Sequence, residues 1–141
     1  MKLILFVFSL AIYSQQEKTI HITQTNCQFV EMEGKNLNFI SQNEKDCAKI
    51  NSETIQSRKK SFSSLKLKAG LYKFIVKNES VPYEVGFWLR GKGLSRFYLP
   101  SVSGGELYKN KSKEYTIELK AGTYFASCPL NSTPDYEIIV E

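Results

Sequence analysis

The sequence predicts an all-β fold, a Greek-key β-sandwich of about eight short strands in one domain. Three observations carry this. Apolar residues alternate with polar ones at period two along most of the chain, and no long segment carries a helical stripe. Turn-forming groups such as Lys-Ala-Gly, Asn-Glu-Ser, Ser-Gly-Gly and Leu-Asn-Ser-Thr-Pro separate the alternating runs. The chain has 141 residues, 42% hydrophobic and 13% aromatic, which is enough for one core and shows no linker to a second domain.

In the first half, Thr19–Thr23, Cys27–Met32 and Lys35–Ser41 alternate as strands. Residues 42–61 are polar and suit a short helix around Asp46–Ser52 or a loop, and Phe62–Lys68 alternates again. The second half is clearer. Leu71–Asn78 puts Tyr72, Phe74 and Val76 on one face, and Tyr83–Arg90 puts Tyr83, Val85, Phe87 and Leu89 together. Tyr115, Ile117 and Leu119 form a further inward set, followed by Tyr124, Ala126 and Cys128, and last by Tyr136, Ile138 and Val140. Leu67-Lys-Ala-Gly-Leu-Tyr72 and Leu119-Lys-Ala-Gly-Thr-Tyr124 echo each other, as one turn used twice at one end of a sandwich would. Trp88 falls on the face opposite Phe87, either as an exposed interface aromatic or packed under a loop.

The N-terminus has the order of a secretory signal peptide: Lys2, an apolar run Leu3–Tyr13, then Ser14 as the small residue before a cleavage at Gln15. The expectation is a signal peptide over 1–14, a mature domain over 15–141, and a location in the periplasm or outside the cell. The same run, rich in Phe, Ile and Val, also reads as a buried first strand. No apolar stretch reaches the ~20 residues of a membrane span. Net charge is +5, a mild excess that does not establish nucleic-acid binding. Its densest stretch, Arg58-Lys59-Lys60, reads as a solvated loop. Of the three cysteines, Cys27 and Cys47 lie close in sequence and Cys128 stands alone. A Cys27–Cys47 disulfide with Cys128 free is the economical pairing in an oxidising compartment, closing a loop of about 20 residues.

Two segments carry a resemblance. Val76-Lys-Asn-Glu-Ser-Val-Pro-Tyr-Glu-Val-Gly86 resembles the cupredoxin segment in which an Asn ends one strand and a His opens the next. Ala121-Gly-Thr-Tyr-Phe-Ala-Ser-Cys-Pro-Leu-Asn131 resembles the cupredoxin ending, in which a Gly-Thr-Tyr strand delivers a Cys ahead of a short loop and a final strand. The similarity covers about residues 65–141. It implies a cupredoxin-like sandwich. A blue-copper site in this fold takes two imidazoles, a thiolate and a weak axial thioether. The resemblance lays these on Tyr83, Cys128, Asn131 and Pro134, so only the thiolate is present. It also implies that Asn78 ties the site loops together through its amide. The lone histidine, His21, alternates with Ile20 and Ile22 and reads as a surface residue.

The Cys-Pro-Leu-Asn-Ser-Thr-Pro ending is also similar to the cupredoxin-like domain of periplasmic iron-uptake proteins, which keeps the Cys without the His. The resemblance therefore carries over for the cupredoxin-like domain alone, and the helical iron-binding domain that usually accompanies it is not expected here. Cys128 is the one candidate metal ligand the resemblance carries over, with a redox role beside it, and the alternatives are a small buried core thiol and an intermolecular disulfide. Tyr83 likewise suits core packing with a hydrogen-bonded hydroxyl.

No catalytic set is legible. One His without a Ser or Cys partner forms no triad, and there is no phosphate-binding Gly loop and no Cys-x-x-Cys pair. Glu31 and Glu33 read as the alternation of an edge-like strand. Asn78-Glu-Ser80, Asn110-Lys-Ser112 and Asn131-Ser-Thr133 match the N-glycosylation pattern. The expected function is a non-enzymatic, exported binding module without type 1 copper, with no cofactor, whose partner is a protein or a metal ion. The alternatives are copper or iron handling through Cys128, and electron transfer with a non-standard copper site.

Overall fold

Alternating apolar residues can bury one face only if two sheets meet, and two sheets are what forms. The computed structural model describes residues 11–141, so residues 1–10, most of the expected signal peptide 1–14, lie outside the described residues. Among the described residues the strands are β1 (Lys18–Thr25), β2 (Gln28–Phe29), β3 (Leu65–Leu67), β4 (Gly70–Asn78), β5 (Val85–Gly91), β6 (Val102–Leu107), β7 (Ser112–Leu119), β8 (Gly122–Ser127) and β9 (Tyr136–Val140). One sheet has the order β2-β1-β4-β7 and the other β3-β9-β8-β5-β6. β1 runs parallel to β4 and β3 parallel to β9, and the other pairs are antiparallel. The β4–β5, β6–β7 and β7–β8 connections pass from one sheet to the other, the crossings of a Greek-key sandwich.

The core lies where the inner faces interdigitate. Phe87 of β5 packs on three rings of the facing sheet, with centroids 6.1 Å from Phe29, 5.6 Å from Phe74 and 5.1 Å from Tyr115. The alternation read for β4, β5, β7 and β9 places Phe74, Leu89, Ile117 and Ile138 inside.

The first half departs from the period-two reading. Cys27–Met32 is not one strand. Cys27 has φ 69°, β2 spans only two residues, and the chain then turns into the short helix α1 (Val30–Glu33). Lys35–Ser41 forms no strand either. Asn38 sits at φ 56°, and the Leu37 N–H donates to the Gln28 side chain at 2.7 Å instead of to a neighbouring strand. The polar stretch holds a fifteen-residue helix, α2 (Glu44–Arg58), longer than the Asp46–Ser52 expectation. The Asn43 side chain caps it, accepting from the Asp46 N–H at 3.2 Å, while the Asp46 carboxylate accepts from the Gln42 N–H at 2.7 Å. Its few buried residues are Cys47, Asn51 and Arg58, so it has no apolar stripe for periodicity to detect.

Two further readings change. Ser103-Gly-Gly105 is not a turn but the middle of β6, where the pairing with β5 shifts register between Val85 and Phe87. A Cβ on Gly86 would lie 2.2 Å from the Gly104 carbonyl oxygen, so this crossing requires glycine. Arg58 is not part of a solvated loop, and Glu33 is not an alternating surface acid. Both are buried and form an ion pair between α2 and α1.

Candidate functional site

β4 ends, β5 begins and β8 ends at one pole of the sandwich, which brings the loops 79–84 and 128–135 together. Cys27 and Cys47 are disulfide-bonded, with Cα atoms 4.9 Å apart, and this link holds α2 against the same pole. Asn51 adds two ties from α2, donating to the Cys27 carbonyl at 3.2 Å and the Ser132 carbonyl at 2.5 Å.

Tyr83 stands in the loop before β5, partly buried. Its hydroxyl meets Ser41 Oγ at 2.9 Å and Cys47 Sγ at 3.4 Å, and donates to Asn131 Oδ1 at 3.3 Å. Burial pushes its phenol above the usual tyrosine value. Asn131 is fully buried and uses its whole amide. Its Oδ1 also accepts from the Cys27 N–H at 2.9 Å, and its Nδ2 donates to the Thr25 carbonyl at 2.9 Å and to Gln24 Oε1 at 3.3 Å. Gln24 in turn donates to the Gly86 carbonyl at 2.5 Å. Cys128 directly follows β8, is buried, and carries the free thiol among the described residues. Its Sγ accepts from the Gly86 N–H at 3.2 Å. Burial raises its thiol pKa, and the Gly86 N–H works against that rise.

The structure therefore joins Tyr83 to Asn131 directly. Cys128 joins them through Gly86 and Gln24, and through the Asn131 N–H on its own carbonyl at 3.2 Å. Pro134 stands apart, lining a groove with Ile55, Lys59 and Phe62. Asn78 holds the Tyr83 loop to β6: its amide donates to Val81 O at 3.1 Å and Leu107 O at 3.3 Å and accepts from the Val81 N–H at 2.9 Å. The second loop is tied down by Asn131 instead. His21 is exposed on β1, and the Trp88 ring is partly exposed with the Arg90 guanidinium 4.0 Å from its centroid.

Gln24, Ser41 and Asn51 were not singled out by sequence, and Glu33 and Arg58 were read there as surface charges. Gln24 had a signal, since it continues the inward set Ile20 and Ile22 and so marks a polar group buried by register. The others had none, because they reach the interior from a helix or a loop.

These residues do not fit type 1 copper. Beside the thiolate candidate Cys128, the positions that the resemblance lays against copper ligands hold a phenol, a carboxamide with every donor and acceptor engaged, and a proline. Among the described residues no three His, Cys, Asp or Glu side chains cluster to hold a metal ion.

No protein-family model matches the sequence, and no curated protein matches it. Solved structures do match in shape. Auracyanin B aligns with TM-score 0.52 at 12% identity, over 91% of each chain. Auracyanin A, a "blue" copper protein from the green thermophilic photosynthetic bacterium Chloroflexus aurantiacus, aligns with TM-score 0.53 at 14% identity, over 89% of this chain and 100% of that one. Reduced rusticyanin aligns with TM-score 0.51 at 14% identity, over 92% of this chain and 82% of that one. At these identities the likeness is one of fold, and with two packed sheets, crossing connections and a Cys-bearing loop at one pole, the chain has the cupredoxin fold.

Proposed function

We propose that this chain is an exported, non-enzymatic binding module built on the cupredoxin fold, without type 1 copper, working in the periplasm or outside the cell. The observation that carries the reading is the Gln24–Asn131 amide pair. It ties the 128–135 loop to β1 and, through Tyr83 and Gly86, to the start of β5, and its donors and acceptors are spent on Thr25, Cys27, Tyr83 and Gly86. A polar network of this kind specifies one packing and occupies the Asn131 carboxamide and the Tyr83 hydroxyl, so neither is free to turn to a metal.

Export is supported by the charged, apolar and small-residue order at the N-terminus and by the Cys27–Cys47 disulfide, a bond that persists in oxidising compartments. A single histidine, and a sequence with no Cys-x-x-Cys pair and no phosphate-binding Gly loop, support a non-catalytic role. Leu94, Phe97 and Tyr98 stand exposed together in the β5–β6 connection at the opposite pole, and clustered exposed apolar side chains support a contact role.

Metal titration of the purified protein tests the reading. The expected result is no intense visible band with Cu(II) and no retention of Cu(I) or iron at micromolar concentration, about −8 kcal/mol. An intense band lost in Cys128→Ala would overturn it in favour of electron transfer. Colourless Cu(I) or iron binding lost in the same variant would overturn it in favour of metal handling.

A further inference from the structure

Three Asn-x-Ser/Thr sequences compete for one kind of chemistry, and burial separates them. Asn78 and Asn131 are both 0% exposed, and each spends its side-chain amide inside the protein. An oligosaccharide on either nitrogen is incompatible with the folded chain, because it would break those bonds and has no room to leave the core.

Asn110 is the opposite. It is exposed in the turn Tyr108–Lys111, which is closed by the Lys111 N–H on the Tyr108 carbonyl at 3.0 Å. It occupies the third turn position at φ 64°, a left-handed conformation that Asn tolerates better than most residues. Ser112, which completes the sequence, is exposed at the start of β7. The turn is also held in place. The Asn110 N–H donates to the Asn78 carbonyl at 2.7 Å, and the Asn78 N–H donates to the Lys111 carbonyl at 2.9 Å.

We propose that Asn110 is an N-linked oligosaccharide acceptor, and that the folded chain carries no such group on Asn78 or Asn131. The inference rests on the export reading above, through a pathway that supplies a lipid-linked oligosaccharide diphosphate. In the transfer, the Asn110 amide nitrogen bonds to the anomeric carbon of the sugar. The bond from that carbon to the lipid diphosphate oxygen breaks, the amide gives up one proton, and the lipid diphosphate leaves. The sugar then stands on the rim of the pole that holds Tyr83, since the Asn110 turn is bonded to the Asn78 loop.

The test is secretion of the full chain from a eukaryotic cell, followed by treatment of the medium protein with peptide:N-glycosidase and peptide mass mapping. One glycan, with the conversion of Asn to Asp read only at position 110, is the expected result. Ser112→Ala, which leaves the turn residue in place, and Asn110→Gln should each remove it without lowering the secreted amount. Secreted protein that is bare at Asn110, or that carries a glycan on Asn78 or Asn131, overturns the proposal. Retention of the chain inside the cell overturns export instead. The acceptor is then read with an unrelated secretion leader ahead of the whole chain, where a glycan at Asn110 upholds the proposal and its absence refutes it.

Discussion

Replacing Arg58 by alanine is expected to be among the costliest single changes in this protein. Arg58 is 6% exposed and Glu33 3%. The guanidinium grips the carboxylate with two prongs, Nη2 to Oε1 at 2.5 Å and Nε to Oε2 at 3.0 Å, and also donates to Asn51 and to Thr54 Oγ1. Tyr136 donates to Glu33 Oε1 at 2.5 Å from β9. The cluster thus joins α1, α2 and the second sheet. Removing one partner of a buried pair costs about 3–5 kcal/mol, mostly because the other charge stays buried without compensation. The Tyr136 phenol still serves Glu33 in the variant, so the lower end, about 3 kcal/mol, is expected. At roughly 3–5 °C per kcal/mol for a domain of this size, Tm should fall by about 10–15 °C. Thermal and urea unfolding followed by circular dichroism at pH 7, with the disulfide intact, give the number. The double variant Arg58→Met with Glu33→Gln removes both charges and should recover most of the loss. A Tm within about 3 °C of the parent for Arg58→Ala, or a double variant no more stable than the single one, would refute the buried-pair reasoning.

Removing the disulfide with Cys27→Ser and Cys47→Ser should cost about 3 kcal/mol on the chain-entropy model for a sequence separation of 20, read from urea unfolding. A loss under about 1 kcal/mol would contradict it. Cys128 should resist maleimide in the native protein near neutral pH, because its thiol is buried and its pKa is raised. One thiol should label in denaturant and all three after reduction, and rapid native labelling would contradict the placement. Stability should fall as pH rises above about 9. Burial raises the pKa of Cys128 from 9.0, and it raises those of Tyr83, Tyr115, Tyr124 and Tyr136 from 10.0. The folded state therefore keeps protons that the unfolded state releases, and this contribution is fully present below the unfolded values and lost above them. Tm measured from pH 8 to 11 should decline steadily, and a flat or rising profile would be inconsistent with these burials.

The second half of the chain was legible because its strands bury one face each. Tyr72, Phe74 and Val76, or Tyr115, Ile117 and Leu119, announce the inward side by register alone. The same rule misread Cys27–Met32 and Lys35–Ser41. There the positive φ at Cys27 and Asn38 bends a chain whose local alternation still looks strand-like. β6 was hidden for the opposite reason: its glycines resemble a turn, and only the close crossing with Gly86 explains why they are there. At the site, the positions Tyr83, Cys128 and Asn131 were readable from two motifs. The groups that bind them into one network, Gln24 and Ser41, come from distant segments.

By itself, then, the sequence determined the sandwich, the inward faces of β4, β5, β7, β8 and β9, and the residue types at its loop pole, because side-chain period and residue chemistry are local properties. The tertiary structure alone decided that Asn131 is saturated, that Arg58 and Glu33 meet in the interior, and that of three matching asparagines only Asn110 reaches solvent. Each of those depends on which remote backbone and side-chain groups share a few ångströms, and local pattern along a chain does not encode that proximity.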